Sequence, residues 1–310
     1  MSLDPIVKAF LDQMALMPGP KLFELPAPQG REMFVAMMQM IGPKDVPIGS
    51  VRELRAGSVP MRMYTPVNAG KGPLGVLVYF HGGGFVIGDL ETHDGICRQF
   101  ANDGGFAVIA VDYRLAPEHK FPAAVDDALA AIDWIAAHAA ELGIDAGRIA
   151  VGGDSAGGAL AAIVAQQAKL HGHPKIAFQL LLFPVTLIAE ETSSRREFAS
   201  GYFLDRDSLN WFFTHYMPEA HDSQDVRHSP LRAADLKGLP PAYVMLGGFD
   251  PLHDEGLAYA RKLQDAGVAV EIADYAGLVH CFIYMQAVLP QAREAVSKAA
   301  KAVAEALGAV

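Results

Sequence analysis

Hydrophobic positions along this chain follow first a helical period, then a strand period, then a regular alternation of the two. Over residues 4–41, Ile6, Phe10, Leu11 and Met14 recur on one helical face, and residues 31–41 repeat the pattern after a Pro-rich break at 26–28. That spacing predicts two helices ahead of the sheet. From Val51 to Tyr64 the period shortens to strand-like stretches, and LGVLVYF at 74–80 is a continuous apolar run of strand length. Further strand-like runs at 106–112, 148–153, 178–184, 242–248 and 268–275 alternate with helical segments at 122–142, 156–170, 255–267 and 287–307. Apolar strands alternating with amphipathic helices predict an α/β protein with a mostly parallel central sheet and helices on both faces.

One stretch interrupts the alternation. Residues 185–240 hold no clear central strand, yet SLNWFFTHYM at 208–217 carries aromatic residues at helical spacing. This reads as an insertion that joins the N-terminal helices in a cap above the strand ends, where α/β sheets place their ligands. The expected organisation is residues 1–45 as the first part of the cap, 46–184 as the first part of the core, 185–228 as the cap insertion and 229–310 as the rest of the core. A chain of 310 residues accommodates this as one large unit with an excursion.

Composition narrows the function classes. Hydrophobic residues make up 51% of the chain and charged residues 19%, which places it among folded globular proteins. A net charge of −10 without clustered Lys and Arg argues against a nucleic-acid partner. Cys97 and Cys281 are too few for a disulfide framework, and no N-x-S/T acceptor occurs, so a reducing, cytoplasmic setting is expected. The N-terminus lacks the basic start of an export signal, and no apolar run is long enough for a membrane span.

The strongest chemical signal is Gly153-Asp154-Ser155-Ala156-Gly157, a G-x-S-x-G pentapeptide between an apolar strand and a helix. A sharp turn there lifts the serine hydroxyl clear of the sheet, and the helix that follows aims its N–H groups at a developing oxyanion. A second signal, His81-Gly82-Gly83-Gly84-Phe85, follows the strand at 74–80, where exposed backbone N–H groups can serve as oxyanion donors. Serine needs a base and an orienting acid, and in this context they follow in the order serine, acid, histidine. Asp250, just past the strand at 242–248, and His280, after the strand at 268–275, supply both in that order.

Other residues compete for these roles. Asp274, within its strand, is an alternative acid; Asp254 and Glu255, opening a helix, read as partners of its N-terminal dipole. Of the eleven histidines, His253 stands too close to Asp250 to reach across the site, His81 belongs to the glycine loop, and His171 and His173 flank a turn. His215, His221 and His228 bring no compact ligand set, so no metal is expected. Asp154 either holds the oxyanion loop by hydrogen bonds or is an exposed turn acid. Seven of the twelve methionines fall in the first forty residues. They read mostly as core filler, with an adaptable lid as the functional alternative. Cys281 reads as a packed thiol.

With these residues placed, the chain resembles the hormone-sensitive-lipase-like bacterial carboxylesterases, family IV of the lipolytic enzymes, within the α/β-hydrolase superfamily. The resemblance spans about residues 50–300 and rests on HGGGF at 81–85, DYRLAPEHKFPAAVDD at 112–127, GDSAGG at 153–158, DPLHDEG at 250–256 and His280. It implies an α/β-hydrolase core under a helical cap, with catalytic residues Ser155, Asp250 and His280 and an oxyanion hole from the N–H groups of Gly83, Gly84 and Ala156. His81, Gly82 and Asp154 would support that site, and Phe85, Leu209 and Phe213 would line the acyl pocket. A small-molecule ester is the implied substrate, short to medium in its acyl chain, with no cofactor. An amidase using the same triad is the nearest rival. A binding protein on this scaffold is a more distant one, because receptors of this fold typically lack the histidine that His280 supplies. The exposed strand at 268–275 offers a surface for homodimer pairing across a two-fold axis.

Overall fold

The computed structural model describes residues 2–188 and 190–309. Its strands are β1 (Ser50–Ala56), β2 (Val59–Thr65), β3 (Leu74–Phe80), β4 (Ala107–Val111), β5 (Ile144–Asp154), β6 (Ile176–Leu182), β7 (Ala242–Phe249) and β8 (Val270–Val279). They form one sheet in the order β1-β2-β4-β3-β5-β6-β7-β8. β2 runs antiparallel to both of its neighbours, and every pairing from β4 across to β8 is parallel.

Successive side chains of a strand point to opposite faces, so the unbroken apolar runs feed two cores at once. In β3, Val76, Val78 and Phe80 enter one core, while Leu77 and Tyr79 enter the other. Helices α4 (Ala123–Ala137), α6 (Ala156–His171) and α9 (His253–Asp265) close the first. Helices α3 (Asp94–Gly104) and α10 (Pro290–Leu307) close the second. The small residues of α6 let it lie against β3, β5 and β6.

The predicted elements appear, with shifts that have local causes. The helix expected over 122–142 breaks at His138, whose ring stacks on Trp134 at 4.2 Å, and resumes as the single turn α5 (Ala139–Leu142). α3 was not predicted. It buries Ile96, Cys97, Gln99, Phe100, Ala101 and Gly104, a face whose apolar signal is diluted by Gln99 and Gly104.

Above the sheet lie α1 (Pro5–Leu16), α2 (Ala27–Ile41), α7 (Ser193–Glu197) and α8 (Arg206–Tyr216). Trp211 Nε1 on α8 donates to Leu25 O at 3.1 Å, joining the insertion to the N-terminal arm. Arg31 on α2 donates to Val86 O and Ala116 O, both at 2.9 Å, and pairs with Glu118.

Glu255 stands in the first turn of α9, where a partner of the helix dipole is expected, but it is 1% exposed and does more. Its Oε1 accepts from the N–H groups of Thr186 (2.8 Å) and Leu187 (3.1 Å), and its other oxygen pairs with Arg195 at 2.6 Å. Asp254 accepts from Ser194 N at 2.9 Å. The start of α9 is therefore stapled to the insertion. Glu255→Ala leaves the buried Arg195 without its counter-ion and two N–H groups unpaired, and should lower unfolding stability by about 3–5 kcal/mol. Guanidinium denaturation of the variant and the parent measures that difference directly.

Candidate active site

Ser155 occupies the turn between β5 and α6 at φ 55°, ψ −116°, a conformation that side-chain-bearing residues seldom adopt. The turn is locked on both sides. Ser155 N donates to Leu182 O at 2.8 Å, Val185 N donates back to Ser155 O at 3.1 Å, and Ala159 N makes the first helical bond to the same carbonyl. A Cβ at Gly153 or Gly157 would collide with the carbonyl of Phe80, which explains the flanking glycines.

The glycine loop leaves β3 alongside this turn. Gly83 (φ 114°), Gly84 (φ 59°) and Phe85 (φ 64°) all take positive φ. A side chain on Gly84 would run into the Phe212 ring, and one on Gly83 into Ile87. Val86 N and Ile87 N both donate to Gly83 O at 3.0 Å. Ala156, first residue of α6, has no intrahelical acceptor for its N–H.

Asp154 ties the two turns together, settling the choice between its alternatives: it is 1% exposed, so it is no surface turn acid. Its Oδ1 accepts from Tyr79 Oη at 2.8 Å and from Gly82 N at 3.1 Å, with His93 Nε2 at 3.5 Å. Burial favours the neutral acid, but His93 and the Tyr79 hydroxyl prevail and hold the carboxyl below its ordinary range. His81 is 3% exposed and donates from Nδ1 to Gly82 O at 2.7 Å; Tyr113 donates to His81 O at 2.6 Å and stacks on its ring. Burial, with His93 nearby, pulls the His81 imidazole down to about 4.

His280 follows β8, where the last residues are fully buried. Its Nδ1 donates to Asp250 Oδ2 at 2.7 Å, while Asp250 Oδ1 accepts from Leu252 N at 2.8 Å. Phe183, at φ 40°, sets its ring edge-on to the imidazole with centroids 5.4 Å apart. Burial alone would lower His280, but the Asp250 carboxylate outweighs it and pushes the imidazole well above its ordinary 6.5. Asp274, the alternative acid, instead faces His253 at 3.1 Å on the open side of the sheet edge. Burial raises the half-buried Cys281 thiol, in keeping with an inert packed group.

Ser155 and His280 line one cavity of about 560 Å³, together with Gly83, Gly84, Phe85, Leu209 and Phe213. Among the hydrogen bonds of the described residues none is made by Ser155 Oγ. Ala156 is not on the cavity wall. Met14, Met17, Met33, Met37, Met38 and Met40 line the same space, and of these only Met38 is buried. The expectation of core filler holds for Met38, which belongs to the core, whereas Met14, Met17, Met33, Met37 and Met40 border the cavity without being buried. Tyr79, Tyr113, His93 and Phe183 escaped sequence reading, because each acts through a partner far away in the chain.

Histidine titration by NMR tests these electrostatics. His280 should titrate above 6.5 and His81 near about 4. Asp250→Asn should lower the His280 value, since the charge that stabilises the imidazolium is gone; an unmoved value would break the assigned pairing.

Known proteins give the same picture. A family model described as the alpha/beta hydrolase fold matches residues 77–284. Esterase LipI of Mycobacterium tuberculosis is 45% identical over 245 residues, 78% of this chain and 77% of its own length. Carboxylesterase NlhH of the same organism is 39% identical over 317 residues, 99% of this chain and 97% of its own. The solved structure of LAE6, an alpha/beta hydrolase enzyme from the metagenome of Lake Arreo, superposes with a TM-score of 0.95 at 42% identity and covers 99% of both chains. With a family match that takes in both the serine turn and the histidine loop, the chain belongs to the hormone-sensitive-lipase-like esterases of the α/β-hydrolase superfamily.

Proposed function

We propose that this carboxylesterase cleaves short- to medium-chain acyl esters of small molecules through an acyl-enzyme on Ser155. One observation carries the reading: a serine held at a strained turn opens into the same cavity as a histidine already bound to a buried carboxylate. Ser155 Oγ attacks the ester carbonyl while His280 Nε2 takes its proton, and the N–H groups of Gly83, Gly84 and Ala156 stabilise the oxyanion. His280 returns the proton to the departing alcohol. Water then attacks the acyl-enzyme with His280 again as base, releasing the acid and restoring Ser155. Asp250 keeps the imidazole in the tautomer with Nε2 free. Asp154 and His81 support the reaction indirectly by fixing the glycine loop to the serine turn.

Residues 1–45 and 185–228 act as the cap in this proposal, and residues 46–184 and 229–310 as the core. The methionine-bordered arm supports tolerance of varied acyl shapes. The proposal extends to a cytoplasmic location, for which the two unpaired thiols speak, and to pairing of two copies along the edge strand β8. Among the described residues no helix is long and apolar enough to cross a membrane.

Hydrolysis of p-nitrophenyl esters from acetyl to palmitoyl checks this. Turnover should peak on short or medium chains and vanish in Ser155→Ala; activity that survives this change would remove Ser155 from the mechanism. Asp250→Asn should lower turnover by about 10⁴-fold with the fold intact. His280 acts as base only when neutral, so kcat/KM should fall as pH drops through its raised value, above 6.5. In Asp250→Asn that acid limb moves to lower pH.

A further inference from the structure

Arg195 lies on the short helix α7 of the insertion and is 6% exposed, an unusual setting for a guanidinium. It donates to Leu187 O and Glu190 O, both at 2.7 Å, and pairs with Glu255 at 2.6 Å. The carbon of its guanidinium also lies 5.3 Å from the centroid of the Phe213 ring, within cation–π range. Phe213 lines the cavity that holds Ser155. Glu255 sits on the helix that begins just after the Asp250 turn. One buried cation thus touches both the acyl wall and the helix that continues from the catalytic acid.

Stability alone does not account for this arrangement. Well-packed apolar side chains commonly replace a buried ion pair without loss of stability, whereas a forked guanidinium fixes one geometry for whatever it contacts. We propose that Arg195 is a specificity-positioning residue: it holds the Phe213 ring in place and so sets how long an acyl chain the cavity accepts. The inference rests on the esterase reading above, with the acyl chain lying along Phe213.

Arg195→Met in the full-length protein, compared on p-nitrophenyl acetate, butyrate, octanoate and decanoate, tests it. Releasing the ring should raise the decanoate-to-acetate ratio of kcat/KM roughly tenfold, the scale on which apolar pocket contacts discriminate chain length. The change should appear in KM, with acetate kcat largely kept. Arg195→Lys keeps the charge but loses the planar stack, and should show a smaller shift in the same direction. It also serves if the methionine variant fails to fold. In the Phe213→Leu background, Arg195→Met should add nothing further to the ratio. A ratio unmoved in both Arg195 variants, or an equal loss on every ester, would overturn the proposal and leave Arg195 as a cap staple. Wild-type hydrolysis that is unchanged in Ser155→Ala would instead overturn the esterase reading, and the proposal with it.

Discussion

β3 approaches the turn after β5 so closely that only hydrogen fits at Gly153 and Gly157. That contact decides much else in the molecule. It brings the glycine loop beside the serine, lets Asp154 bond both turns, and directs the N-terminus of α6 toward the space above Ser155. Ser155 and the N–H groups proposed as oxyanion donors are consequently held on adjoining turns. A reaction that develops charge on a carbonyl oxygen needs donors whose positions are fixed beforehand, and strand packing supplies that condition for the proposed ones.

Around these turns, identical residue types are set to different tasks by their surroundings. Asp154 and Asp250 are both 1% exposed, yet one is bonded by a tyrosine hydroxyl and a backbone N–H, with His93 at 3.5 Å, while the other meets the His280 imidazole at 2.7 Å. Buried His81 stays neutral across ordinary pH, and buried His280 is biased toward its cation. The difference lies in whether a carboxylate meets the ring directly, since burial lowers both.

The sequence made the site legible through contiguous motifs and made the sheet legible through uninterrupted apolar runs. Where it fell short, the determining contact was distant. Glu255 opens a helix and by position reads as a dipole partner; its further partners, Arg195 and the N–H groups of Thr186 and Leu187, lie about sixty to seventy residues earlier. The arm methionines have the spacing of core residues because a cavity wall and a core wall follow the same helical period. α3 was missed because Gln99 and Gly104 dilute the apolar signal of its buried face. Composition along one segment cannot reveal which surface another segment will bring to it.

The N-terminal arm is held by hydrogen bonds, the carbonyl of Leu25 under Trp211 and the fork of Arg31 on two loop carbonyls, and by burial of Val7, Met38 and Ile41 in the core. Met14, Met17, Met33, Met37 and Met40 line the cavity without being buried, whereas Met38 lines it and also belongs to the core. Exchanging one of the five reshapes the chamber, while exchanging Met38 also disturbs the core. The shape of the chamber can thus change at the arm while the serine turn stays where strand packing puts it.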